Sequence, residues 1–250
     1  MSVAIIGAGA IGALAAGYLK LKGEDVYLVA KPDSIDAIHK NGVVISGVRG
    51  DFKVPVHVYE FLVSEPKILI VATKTQDVEK AIRDNLPLLK KTIILTTQNG
   101  VQSENIIARL LPKENILSSI VMFGSTLIEP GRVVHNFEGD WVVGSVFKEV
   151  PNPGILDVSM ILDKAFPAVV SQNILGMKYL KIFVNANNCI PAILGLSMQE
   201  AFADHNISMV SIKIWEEGFN LLSRLNIKME SLPGFPIENV TKLIAIPKEE

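Results

Sequence analysis

Two groups of residues could do chemistry. The first is Gly7-Ala8-Gly9-Ala10-Ile11-Gly12, a G-x-G-x-x-G run between an apolar segment at residues 2–6 and an apolar stretch at 13–19. In the order strand, turn, helix, this spacing builds a pyrophosphate cradle. Gly7 permits the tight turn, Gly9 lets phosphate approach the backbone, and Gly12 lets the helix pack close to the sheet. The helix start adds free N–H groups and a positive dipole end. The second group is Lys181, Asn185 and Asn188, at i, i+4 and i+7, which a helix places on one face. A lysine with two amides makes a carbonyl-binding wall. The lysine can donate a hydrogen bond to a substrate oxygen and then a proton to its alkoxide, while the amides hold substrate without adding charge. The plainer alternative has Lys181 reaching water and the asparagines pairing within the fold. Lys178 competes for the lysine role.

These groups need elements to position them. A first helix to Lys22, closed by Gly23, leads to a second strand at 25–30, as a βαβ unit requires. Where that strand ends, an NAD site usually carries an acidic residue for the ribose hydroxyl. Here Ala30-Lys31-Pro32 stands instead. Lysine neutralises a 2′-phosphate, so Lys31 points to NADP(H); the alternative is a solvated surface lysine. A short helix at 33–40 follows, then two strands, 43–48 and 52–58, around Arg49-Gly50-Asp51, expected as a small hairpin with Pro55 at an edge.

Further strands are expected at 67–72 and 92–96, each followed by a helix, at 77–89 and 101–111. Lys74 follows the first strand and Gln98-Asn99-Gly100 the second. In open parallel sheets ligands bind beyond the carboxyl ends of strands. The glycine turn, Lys74 and Asn99 share that placement. Residues 118–123 are apolar, 132–136 and 141–144 are expected to pair antiparallel, a helix spans 155–166, and 168–171 closes the sheet. Beyond Gln172 the pattern turns helical: 174–196, 202–225 and 237–246.

Bulk properties narrow the class. The 250 residues are 49% apolar and 20% charged, with a net charge of −2. Such a chain is well packed and carries no basic footprint for nucleic acid. Cys189 is the only cysteine, which excludes an internal disulfide, and no histidine or cysteine spacing suggests a metal site. No apolar run approaches the roughly 20 residues that cross a bilayer, and a basic leader is missing, so a cytoplasmic protein is expected.

Together, Gly7-Ala8-Gly9-Ala10-Ile11-Gly12, Lys31-Pro32, Val71-Ala72-Thr73-Lys74-Thr75, Gln98-Asn99-Gly100 and Lys181 with Asn185 and Asn188 resemble the ketopantoate reductase family. The resemblance covers nearly the whole chain, and its lysine and asparagine combination is more specific than its glycines. It implies an α/β fold: an N-terminal Rossmann-type parallel sheet binding NADP over 1–172, and a C-terminal, shortened, all-helical substrate and dimerisation domain over 173–250. The active site would lie between them. It implies NADPH-dependent reduction of 2-dehydropantoate to pantoate, a small-molecule 2-oxoacid chemistry on the route to pantothenate and coenzyme A.

By the same resemblance Lys181 matches the catalytic lysine. Gly7, Ala8, Gly9, Ala10, Ile11, Gly12, Lys31, Lys74 and Asn99 match cofactor-binding positions, and Asn99, Asn185 and Asn188 substrate-binding ones. The chain departs from the pattern twice. Cys189 occupies the place of the family's second asparagine, with Asn188 just before it. The chain also ends at Glu250, short of a segment carrying a substrate-binding serine and glutamate. Missing helices would expose apolar surface that a second copy could cover, giving a homodimer through the helical domain. Two other readings share the glycine motif: a reductase of another bulky 2-oxoacid, and a non-catalytic NADP-binding sensor or assembly partner. Substrate-dependent turnover separates them.

Overall fold

The computed structural model describes residues 2–245. The chain divides into two compact units, the first ending at Ile174 and the second beginning at Leu175. In the first unit the order is β1 (Ser2–Ile6), α1 (Ala10–Leu21), β2 (Asp25–Val29), α2 (Pro32–Asn41), β3 (Val43–Gly47), β4 (Phe52–Val54), β5 (His57–Tyr59) and β6 (Ile68–Val71). It continues with α3 (Val78–Asn85), β7 (Ile93–Thr96), α4 (Ser103–Ile107), β8 (Ile116–Val121), β9 (Gly124–Glu129) and β10 (Arg132–Phe137). Then come β11 (Trp141–Gly144), α5 (Ile155–Asp163) and β12 (Ala168–Val170).

The main sheet runs β12-β11-β8-β7-β6-β1-β2-β5. Its pairs are parallel except β8 with β11. The central strands explain themselves: β6 is Ile-Leu-Ile-Val with every residue buried, the continuous apolar run of a strand covered on both faces. This is the Rossmann-type arrangement expected of the N-terminal half.

A second sheet, β4-β3-β10-β9, is a departure from the expected hairpin. β3 and β4 do pair antiparallel, but β3 also pairs parallel with β10, and β10 antiparallel with β9. Pro55 separates β4 from β5, and β5 joins the main sheet beside β2. The expected antiparallel pairing of 132–136 with 141–144 is therefore overturned: β10 belongs to the small sheet, whereas β11 pairs with β8 and β12. The small sheet packs on α1. A Cβ on Gly17 would come within 2.5 Å of Ile45 Cδ1. Helix α1 is thus covered on two sides, which accounts for its unbroken buried run from Gly12 to Leu19.

Two helices are shorter than their patterns suggest. The expected helix over 77–89 splits because Pro87 has no N–H to donate; α3 stops at Asn85 and a 3-10 turn, Leu86–Leu88, follows. The expected helix over 101–111 reduces to α4. Its continuation tightens into i→i+3 bonds, such as Leu110 N–H to the Ile107 carbonyl, before Pro112.

Beneath β8 and β11 lies an aromatic cluster. Phe166 stacks on Phe123 with ring centroids 4.1 Å apart and meets Trp141 edge-on at 5.3 Å and Tyr18 at 5.6 Å. The buried His135 accepts or donates at 3.1 Å to the Tyr18 hydroxyl, according to its tautomer. Phe166→Ala is expected to destabilise the protein by about 3–5 kcal/mol, because a fully buried ring leaves a cavity its stacked neighbours cannot fill. Urea unfolding of the variant measures this.

Helix α6 (Ile174–Leu194) begins at the last residue of the first unit and continues into the second, which adds α7 (Met198–Ala203), α8 (His205–Arg224) and α9 (Ile237–Ala245). Ser197 and Glu200 form a capping box at the start of α7, and Asp204 caps α8. The stretch 202–225, expected as one long helix or a broken pair, is the single helix α8 over most of its length, with a break at Asp204 near its start. Helices α6 and α8 meet where a Cβ on Gly218 would overlap the Phe183 ring, and Trp215 Nε1 donates to the Phe183 carbonyl at 3.0 Å. Among the described residues no helix is long and apolar enough to cross a membrane.

Candidate active site

The turn that leaves β1 and enters α1 requires glycine at two of its three glycine positions. Gly7 has φ +109°, and a Cβ there would lie 2.8 Å from the carbonyl carbon and oxygen of Ala72 and 2.9 Å from the Thr73 nitrogen. A Cβ on Gly12 would overlap the Gly7 carbonyl oxygen. Gly9 is different: its φ is −78°, and a Cβ would meet nothing within 4 Å. Nothing within the fold calls for glycine at position 9. A ligand that must approach the backbone does. The first-turn N–H groups of α1 lack intrahelical carbonyls and no acidic side chain stands in that turn, so they suit phosphate oxygens. Ala8 is buried, and Ala10 and Ile11 are half-buried at the helix start.

The remaining cofactor candidates of the first unit fall into the same row. Strands β7, β6, β1 and β2 are neighbours in that order, all parallel. Asn99 follows β7, Lys74 follows β6, the glycine turn follows β1 and Lys31 follows β2. Lys31, Lys74 and Asn99 are exposed. Lys31 precedes Pro32 at the first position of α2, where the proline ring fits helical φ without needing an N–H donor. One edge of one sheet thus presents an open glycine turn, two lysines and an amide.

The strand ends are tied together below this row. The last ladder pair of β6 and β7 is Val71 with Thr96. Beyond it, Thr97 donates to the Val71 carbonyl from its N–H at 3.2 Å and from its hydroxyl at 3.0 Å. Gln98, 7% exposed, donates from Nε2 to the carbonyls of both Val71 and Thr73, each at 2.8 Å. Glu104, 1% exposed at the start of α4, accepts from the Thr96 and Ser118 hydroxyls at 2.6 Å each. Motif spacing draws attention to Asn99 and passes over Gln98 and Glu104. A buried polar side chain directly after a strand is the signal that marks them.

Lys181, Asn185 and Asn188 stand on α6. Lys181 and Asn185 are half-buried, and Asn188 and Cys189 are exposed. Pro191, inside the helix, cannot donate to the Asn187 carbonyl, which interrupts the ladder beside the asparagines. Burial, and after it the charge of Lys178, lowers the Lys181 ammonium from its ordinary range to about 8. Both act on the charged form: desolvation removes its hydration, and a like charge repels it. Lys178, one turn earlier and 3% exposed, is the more deeply buried of the two. A proton donor of this kind sits near neutral pH, where it can both hold and release its proton. Among the described residues, no group of His, Cys, Asp and Glu side chains is placed to hold a metal ion.

Comparison with known proteins identifies the family. Residues 3–147 match the family model described as ketopantoate reductase PanE/ApbA. The 2-dehydropantoate 2-reductase of Pyrococcus horikoshii is 29% identical over 236 residues, which is 93% of this chain and 77% of that protein. That of Archaeoglobus fulgidus is 27% identical over 234 residues, 92% and 76% of the two chains. A PanE/ApbA family ketopantoate reductase from Ralstonia eutropha superposes with a TM-score of 0.84 at 25% identity, covering 98% of this chain and 79% of that one. A D-mandelate dehydrogenase holding NADH and anilino(oxo)acetate shares the fold, with a TM-score of 0.83 at 23% identity, covering 98% of this chain and 78% of that one. The family match spans more than half the chain, and by it this protein belongs to the ketopantoate reductase family.

Proposed function

We propose that this chain reduces 2-dehydropantoate to pantoate with NADPH, a step toward pantothenate and coenzyme A. The observation that carries the reading is the row at the carboxyl edge: a glycine turn open at Gly9, flanked by Lys31, Lys74 and Asn99, in a member of this family. The names borne by its relatives support the substrate.

A reduced nicotinamide dinucleotide, when bound, supplies a hydride to the keto carbon. The protein's part is to bind, orient and handle the proton. The N–H groups at the start of α1 hold the pyrophosphate, and Lys31 neutralises the 2′-phosphate. Lys74 contacts the cofactor at its end of the cleft, and Asn99 stands near the nicotinamide and also contacts substrate. Lys181 donates a hydrogen bond to the keto oxygen and then a proton to the forming alkoxide, with Asn185 and Asn188 holding the substrate's polar groups.

The test is a comparison of kcat/KM for NADPH oxidation with 2-dehydropantoate, a smaller branched 2-oxoacid and an aryl 2-oxoacid. The reading expects 2-dehydropantoate to lead. A lead by either of the others assigns a different 2-oxoacid. Lys31→Ala is expected to reduce the preference for NADPH over NADH about fivefold, the size of an exposed ion pair. Titration of both cofactors against both proteins measures it, and an unchanged preference removes Lys31 from the assignment.

A further inference from the structure

We propose that Gln98 is a positioning residue: its side-chain amide holds the loops after β6 and β7 in register, and so sets Lys74 and Asn99 for cofactor binding. The inference rests on the reading of those two residues as cofactor contacts. It stands on three observations.

The first is reach. The β6–β7 ladder ends at Val71 and Thr96, and the main chain couples the strands once more, through Thr97 N–H to the Val71 carbonyl. Gln98 Nε2 then extends the coupling to the Thr73 carbonyl, two residues past the last ladder pair. That carbonyl belongs to the peptide unit joining Thr73 to Lys74, and Asn99 is the residue after Gln98. One amide therefore grips the peptide that carries one cofactor candidate from the residue adjoining the other.

The second is what lies on the opposite side of the gripped segment. Ala72 and Thr73 are the atoms that a Cβ on Gly7 would strike. Ala72 N–H also donates to the Ile6 carbonyl at 2.8 Å. The segment is held between the glycine turn and Gln98, so a shift of Thr73 moves the wall on which the turn packs.

The third is chemistry. Both protons of the amide nitrogen go to main-chain carbonyls, at 2.8 Å each. Glutamate has nearly the same shape but, ionised, no proton to donate, and would set a negative oxygen against two carbonyl oxygens. Methionine has similar volume and neither donates nor repels. The two substitutions separate lost donation from lost packing.

The experiment combines amide hydrogen exchange of the cofactor-free protein with NADPH titration and steady-state kinetics for wild type, Gln98→Met and Gln98→Glu. Gln98→Met is expected to speed exchange about tenfold in both loops, 73–76 and 99–101, with β1 and β2 unchanged. NADPH Kd and KM should rise about tenfold while kcat falls less. Gln98→Glu should bind more weakly than Gln98→Met at pH 8, and its deficit relative to wild type should shrink at lower pH, where a protonated carboxyl can donate to one carbonyl. Wild-type exchange and affinity in Gln98→Met would overturn the proposal. So would faster exchange spread evenly over all strands, which marks a merely structural side chain. If the wild type itself binds no NADPH, the cofactor reading fails, and with it the functional half of this inference, while the exchange pattern still decides whether Gln98 orders the loops.

Discussion

Lys181→Ala is expected to lower turnover with 2-dehydropantoate by about 10²–10⁴-fold, the range over which a positioned proton donor contributes. NADPH affinity should stay at the wild-type level, because the substitution removes a group assigned to the keto oxygen and leaves the glycine turn untouched. The pH profile sharpens the test. The Lys181 ammonium is lowered to about 8, first by burial and then by Lys178. The acid is protonated below that value and neutral above it, so kcat should fall as pH rises through about 8. Arginine keeps its proton throughout the range, so in Lys181→Arg that falling limb should vanish. Removing the Lys178 charge relieves the like-charge repulsion and should move the limb upward. A falling limb that survives in Lys181→Arg would assign the titration to another group.

Gly9→Val should lose NADPH binding by about 10–100-fold, the worth of one charge-assisted hydrogen bond or a little more, and yet unfold like wild type. The reasoning is steric and local. At φ −78° and ψ −168° the backbone of Gly9 is ordinary extended chain that valine adopts readily, and nothing in the fold occupies the space its side chain would take. In the proposed binding mode that space is the approach of phosphate to the helix N–H groups. Gly12→Val is the contrasting control: its side chain would collide with the Gly7 carbonyl, so stability itself should fall. Thermal unfolding alongside NADPH titration separates the two. Equal NADPH affinity in Gly9→Val and wild type would place the cofactor elsewhere.

The strand–turn–helix opening was legible because its signals are local. Glycine spacing, an apolar run and a helical pattern lie within about twenty residues, and each continuous apolar strand after it repeats the βα rhythm. Lys31, Lys74 and Asn99 could be placed at a common edge because parallel strands fix which end of each faces the ligand. The small sheet was not legible. Its pairing of β3 with β10 joins segments far apart in sequence, and alternation within a strand says nothing about which strand lies beside it. The same limit applies to 132–136 and 141–144: their pattern suits an antiparallel pair, yet they lie in different sheets. Gln98 stands in a motif legible in the sequence, but its role does not: the two carbonyls it reaches come within range only when β6 and β7 lie side by side.

The proposed reaction is hydride transfer from reduced cofactor to the 2-oxo carbon of 2-dehydropantoate. NADPH carrying deuterium at the nicotinamide C4 position, incubated with this chain and 2-dehydropantoate, tests it by mass spectrometry of the product. The expected product is pantoate one mass unit heavier, labelled at C2, from one of the two C4-labelled stereoisomers and unlabelled pantoate from the other. Tight NADPH binding with no oxidation and no pantoate would contradict it and leave a dinucleotide-binding protein without this activity.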